Sequence, residues 1–202
     1  MTSRPEAGRL GTMRLGIAHH LGWAVAVTAD VDHEVVDRRR IELIEADLPA
    51  APIHHVGGPH ELHRTGDPIG DVELTALVDQ VRGSVRLATR AALDELVTDL
   101  TEPITSISVR DWPDDLPDDI AVLRRPPYES RVDSYMYCQL LAEDAIARGW
   151  DVHRYDARTV VAEAAARLGD RADEVLQGPR RRLGTPWTKD HRTALAATVL
   201  VT

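Results

Sequence analysis

Residues 13–44 place three short apolar runs so close together that the chain must start as a β-meander. The stretch Arg14-Leu15-Gly16-Ile17-Ala18-His19-His20-Leu21-Gly22-Trp23-Ala24-Val25-Ala26-Val27 reads as strand, tight turn, strand. It predicts strands over 13–20 and 22–30. Asp30, Asp32 and His33 supply a second turn, because their side chains favour local backbone bonds over a ladder. Residues 33–44 form the third strand. Alternating polarity with such short connections calls for antiparallel pairing.

The pattern then changes. Prolines 49, 52, 59 and 68 and glycines 57, 58, 66 and 70 interrupt residues 45–71, which read as one long loop of the lid or binding-loop kind. Residues 72–100 form the longest helix, with Leu74, Leu77, Val78, Val81, Val85, Ala88, Ala92 and Leu96 at helical spacing. A strand follows at 104–109, then an acidic, proline-rich stretch to Tyr128. Ser130 is expected to cap a helix running to Arg148, with Asp133 in a capping-box position. Residues 151–155 are a strand. Asp156 caps a helix over 157–168, a short piece from Asp170 ends at Gly178, and Thr188 caps a last helix through Val201. Residues 1–12 lack periodicity and read as a disordered lead before a single domain, 13–202.

Charge narrows the function classes. The net charge is -9 and Lys189 is the only lysine among 24 basic residues. A chain this acidic is a poor non-specific nucleic-acid binder, since that affinity comes from cations neutralising phosphates. A local basic stripe remains open. Cys138 is the only cysteine, so no intramolecular disulfide can form, which suits a reducing compartment. No segment has the roughly 18 apolar residues of a membrane span. The expected setting is cytoplasmic, away from membranes.

The order of elements, three meandering strands, helix, strand, helix, strand, helices, resembles the ribonuclease H-like superfamily. Gly16-Ile17-Ala18 followed by Gly22-Trp23-Ala24-Val25 is similar to the opening of Holliday-junction resolvases. Residues 148–155 (Arg-Gly-Trp-Asp-Val-His-Arg-Tyr) look like their second helix feeding a buried strand. Asp190-His191-Arg192-Thr193-Ala194-Leu195-Ala196-Ala197 resembles their last helix. The resemblance implies an α/β fold with a mixed sheet, an antiparallel three-strand meander plus two parallel strands, flanked by helices. It also implies carboxylates that hold two Mg²⁺ or Mn²⁺ ions about 4 Å apart. This chain departs from that pattern. The first-strand aspartate is Ala18 and the second acid of the last helix is Thr193, while Asp190 keeps its place. Asp111 lies just past the fourth strand, and Glu73 is a remote third acid.

The candidate site residues follow. Asp111, Asp190, His191 and His19 are the catalytic candidates, because imidazole titrates near neutral pH beside the expected carboxylates. Asp111, Asp190 and His20 are the metal-ligand candidates. The alternative makes His19 and His20 ordinary turn residues, and Asp190 an ordinary first-turn acid favoured by the helix dipole. Arg124, Arg125, Tyr128, Arg131 and Lys189 are the binding candidates, with Tyr128 able to stack on a base. Arg180-Arg181-Arg182 is a second basic stretch, and Arg38-Arg39-Arg40 reads as a salt-bridged strand edge. His54, His55, His60 and His63 crowd one loop, but their spacing matches no metal motif.

Three functions remain open at this level. The first is a nucleic-acid-associated or regulatory protein with a lost or rebuilt nuclease site. The second is a metal-dependent nuclease or phosphodiester hydrolase. The third is a non-catalytic interaction module, such as a homodimer.

Overall fold

The computed structural model describes residues 11–58, 67 and 69–201. The expected lead therefore lies almost wholly outside the described residues, as do His60 and His63. Among the described residues, five strands, β1 (Met13–His19), β2 (Trp23–Ala29), β3 (Val35–Glu42), β4 (Ile104–Arg110) and β5 (Asp151–Tyr155), make one sheet. Their order is β3-β2-β1-β4-β5. β1–β2 and β2–β3 pair antiparallel, and β1–β4 and β4–β5 pair parallel. This is the mixed sheet expected from the sequence.

The meander turns explain where the strands stop. Gly22 sits at φ 87°, a left-handed conformation that costs glycine little. The third strand begins at Val35, later than expected. Asp30 Oδ1 accepts from both Asp32 N and Glu34 N at 2.9 Å, and His33 takes φ 72°, so the turn absorbs residues 33 and 34.

Among the described residues, six α-helices flank the sheet: α1 (Asp71–Asp99), α2 (Ile120–Leu123), α3 (Val132–Ala147), α4 (Val160–Leu168), α5 (Ala172–Leu183) and α6 (Lys189–Val199). None of the described helices is long and apolar enough to cross a membrane. Strand alternation divides the core. Leu15, Ile17, Ile107 and Val109 pack with Val81, Leu93, Tyr137 and Leu141 of α1 and α3. Ala18, Val25 and Val27 pack with Val160, Leu195 and Ala196 of α4 and α6.

Several boundaries differ from the sequence reading, each for a local reason. The described part of the loop 45–71 includes a π-helical turn, Pro52–Gly57. Ser130 does not cap α3: the helix starts after Arg131 with no side-chain cap bond, because Asp133 is engaged elsewhere. α4 starts at Val160, because Asp156 first closes a turn by accepting from Arg158 N at 2.8 Å. α5 does not stop at Gly178. It runs through a buried Pro179 to Leu183 and ends at Gly184, where φ is 75°.

One close approach sets the depth of α6. A Cβ at Gly16 would lie 1.9 Å from the Ala194 carbonyl oxygen. Only glycine allows the helix to lie this near β1. That contact fixes the position of the first turn of α6, with Lys189 and Asp190, relative to the end of β1.

Candidate functional site

Because β1 and β4 are parallel, their carboxyl ends emerge together. The register Gly16↔Ser108 brings His19 and His20 to the same end of the sheet as Arg110 and Asp111. α3 begins there, and the Ala51–His54 segment covers it. The result is a cavity of about 250 Å³ lined by His19, His20, Ala51, Arg110, Ser130, Asp133 and Ser134, among others.

The roof is hung from α3. Asp133 Oδ1 accepts from Ile53 N at 3.3 Å and Oδ2 from His54 N at 2.9 Å. Tyr137 donates its hydroxyl to the Ala50 carbonyl at 2.9 Å. Asp133 is only 4 % exposed, and burial pushes its carboxyl up to about 7. An ionised carboxylate is costly out of water, so this acid stays protonated to far higher pH than usual.

His19 is 1 % exposed. Burial first, then the Arg110 charge, pull its pKa down to about 3, so the ring is neutral across the physiological range. Its Nε2 lies 2.9 Å from Ser134 Oγ and 3.5 Å from Cys138 Sγ. That pair is not an activated thiolate. Burial pushes the Cys138 thiol up to about 12, and a protonated thiol is a weak nucleophile.

His20 faces outward. Its Nε2 is 3.2 Å from Asp190 Oδ2, and its ring stacks on Trp23 with centroids 4.2 Å apart. The turn after β1 and the first turn of α6 thus meet, as the pairing of His20 with Asp190 among the metal candidates requires. Asp111 is held differently. Arg154 Nε donates to its Oδ1 at 2.6 Å, and the same guanidinium reaches Asp114. His191 is 7 % exposed and turned inward, with Nδ1 accepting from Thr188 N at 3.2 Å and lying 2.9 Å from its hydroxyl. Burial and the nearby Arg38 lower its pKa.

The binding candidates separate into two groups. Arg124 is structural: it donates to the Gly57 carbonyl at 2.9 Å and the Ile69 carbonyl at 2.8 Å, and it pairs with Asp71. Arg125, Arg131 and Lys189 are exposed, and Tyr128 is half-buried. Arg131 lies in the chain between cavity residues Ser130 and Asp133. Lys189 immediately precedes Asp190.

Two residues of this site escaped the sequence reading. Asp133 reads as a helix cap until the loop 80 residues earlier is seen lying on it. Arg110 falls just past the strand expected over 104–109, and β4 extends to include it. Its side chain has no hydrogen-bond or ion-pair partner among the described residues, and its Nε is buried without an acceptor. The only sequence hint was its position, directly before Asp111.

No protein-family model matches the chain, and no curated protein matches it. Among solved structures, it is similar to T. thermophilus RuvC in complex with Holliday junction substrate, with TM-score 0.50 and 12% identity over 93% of this chain and 90% of that one. A second Thermus thermophilus RuvC structure superposes with TM-score 0.49 and 10% identity, over 93% and 91%. The chain has a ribonuclease H-like fold. At this identity the likeness speaks for the fold alone.

The donors at the strand ends do not fit a pair of Mg²⁺ or Mn²⁺ ions. Such cations take several oxygen ligands. Here Ala18 and Thr193 offer no carboxylate, Asp111 is paired with Arg154, and Arg110 adds positive charge to the cavity. Among the described residues no group of three or more His, Cys, Asp or Glu is arranged to hold a metal ion.

Proposed function

We propose that this chain is a nucleic-acid-associated protein on a ribonuclease H-like fold, with the fold's nuclease centre lost or rebuilt. The observation that carries the reading is the changed character of the strand-end cavity. A two-cation nuclease needs negative charge there. This chain instead offers Arg110, a neutral His19 and a carboxyl, Asp133, that is protonated well above the usual range. Such a cavity attracts a phosphate directly rather than through metal ions. The resolvase described with a Holliday junction supports nucleic acid as the ligand class. Arg125, Arg131 and Lys189 supply exposed cations in the segments beside the cavity, which compensates locally for the net charge of -9. Cys138 is free and buried, which suits a reducing cytoplasmic setting.

Fluorescence anisotropy with a four-way junction, duplex DNA, single-stranded DNA and RNA tests the reading. Binding to at least one is expected in EDTA, falling steeply with salt. Arg125→Ala and Arg131→Ala should each weaken it and reduce the salt slope by about one. Incubation with Mg²⁺ or Mn²⁺ should leave the strands uncut. Absence of binding at low salt to all four would leave the interaction-module reading. Metal-dependent cleavage abolished by Asp190→Asn would replace the proposal with a phosphodiester hydrolase built on Asp190 and His20.

A further inference from the structure

Five arginines of this protein are spent on structure. Arg38, Arg39, Arg124, Arg148 and Arg154 each satisfy two or more carbonyl or carboxylate acceptors. Arg110 satisfies none among the described residues, although its Nε is buried and its side chain lines the cavity. A buried guanidinium donor without an acceptor is costly, and proteins retain one where a ligand completes it.

The surroundings specify that ligand. Asp111, next to Arg110 in the chain, pairs with Arg154, and Asp190 bonds to the cavity residue His20. Asp133 spends both oxygens on the roof amides of Ile53 and His54. None of these three carboxylates bonds to Arg110. Ser134 completes the donor set. When His19 carries its proton on Nε2, Ser134 Oγ accepts from it at 2.9 Å, and the hydroxyl proton is free to point elsewhere. Ser130 lies on the exposed rim. The remaining space, about 250 Å³, is below the roughly 300–1,000 Å³ of sites that take drug-sized ligands. It has room for one small tetrahedral anion.

We propose that this cavity seats a single terminal phosphoryl group, held by the Arg110 guanidinium and the Ser134 hydroxyl without a metal ion. The source of that group, the phosphorylated end of a nucleic-acid strand, rests on the reading under Proposed function. The phosphate seat itself does not.

Calorimetric titration of the full chain with inorganic phosphate in EDTA should give saturable binding. Arg110→Gln should weaken it about tenfold to a hundredfold, the range for a hydrogen bond to a charged group. Arg110→Lys should fall between, because it keeps the charge and loses the planar fork. Ser134→Ala should weaken it less. A 5′-phosphorylated oligonucleotide should bind more tightly than its unphosphorylated twin, and Arg110→Gln should erase that difference while leaving residual affinity. Phosphate heats unchanged by Arg110→Gln overturn the seat. So do absent phosphate binding and equal affinity for the two oligonucleotides, and that result leaves the nucleic-acid reading standing. Arg110-dependent phosphate binding with no affinity for either oligonucleotide keeps the seat and removes nucleic acid as its source.

Discussion

The outer edge of the sheet and the strand-end cavity use the same residue type for opposite purposes. At the edge, Arg38 donates to the Leu183 carbonyl at 2.7 Å and the Gly184 carbonyl at 3.0 Å, and also to the Pro186 carbonyl. Arg39 binds Asp37 and Asp99, and Arg40 binds Glu42 while lying 4.0 Å from the Trp23 ring centroid. Arg182 closes on Glu34. Every guanidinium there ties two pieces of chain together. In the cavity, Arg110 ties nothing. The comparison shows that the number of basic residues says little about anion binding in this chain. What matters is which cations remain unpartnered after folding.

The two regions should therefore answer mutation differently, and the largest effects should be in pH dependence. His19 has its pKa depressed from 6.5 to about 3, so the native state holds fewer protons than the unfolded chain between those values. That contribution to stability is complete above pH 6.5 and is lost as pH falls toward 3. His33 and His191 lean the same way. Asp133 is raised from 3.8 to about 7, so the native state holds more protons in that window. Its contribution is complete below pH 4 and is lost as pH rises toward 7. Each proton carries a slope of about 1.4 kcal/mol per pH unit. Asp133→Asn should make stability rise more steeply with pH between 4 and 7, and His19→Gln should flatten or reverse the rise. Urea unfolding across that range measures both, and an unaltered slope in either variant refutes the assigned environment.

The saturated edge supplies the next effect. Arg38→Ala should cost about 1–3 kcal/mol, because three backbone carbonyls lose their donor. A lowered denaturation midpoint with unchanged m-value is the expected signature. Asp190→Ala comes third, at about 0.2–1 kcal/mol, because the His20 side chain is 43% exposed and water screens the pair. Arg110→Gln should be the mildest. It should leave the stability of the chain unchanged or raised in phosphate-free buffer, since it breaks no internal bond and removes a buried donor that has no acceptor. A large loss of stability there would place Arg110 with the structural arginines and end the contrast.

Much of the architecture was legible because it rests on local rules. Alternation and the Asp30 and Gly22 turns fixed the meander, and the spacing Leu74, Leu77, Val81, Val85 fixed α1. The salt-bridged reading of Arg38-Arg39-Arg40 needed only strand alternation. The misses are of another kind. Asp133 carries the signature of a helix start, and that local reading loses to a contact with Ile53 and His54. The sequence pattern ends this helix at Gly178, whereas α5 continues through a buried Pro179 to Leu183. Arg110 was invisible because its distinguishing property is a missing partner, which no spacing encodes. For the site, the sequence brought forward His19, His20 and Asp190, and the fold does gather them near one another. It did not reveal that the acid buried among them is Asp133.

The absent side chain at position 16 has a last consequence. The helix bearing Lys189 and Asp190 rests on bare backbone, so its height above the sheet is set by one missing carbon atom. Adding a methyl group there would lift the whole rod like a shim under a beam. The His20–Asp190 latch would then part, although neither of its members had been altered.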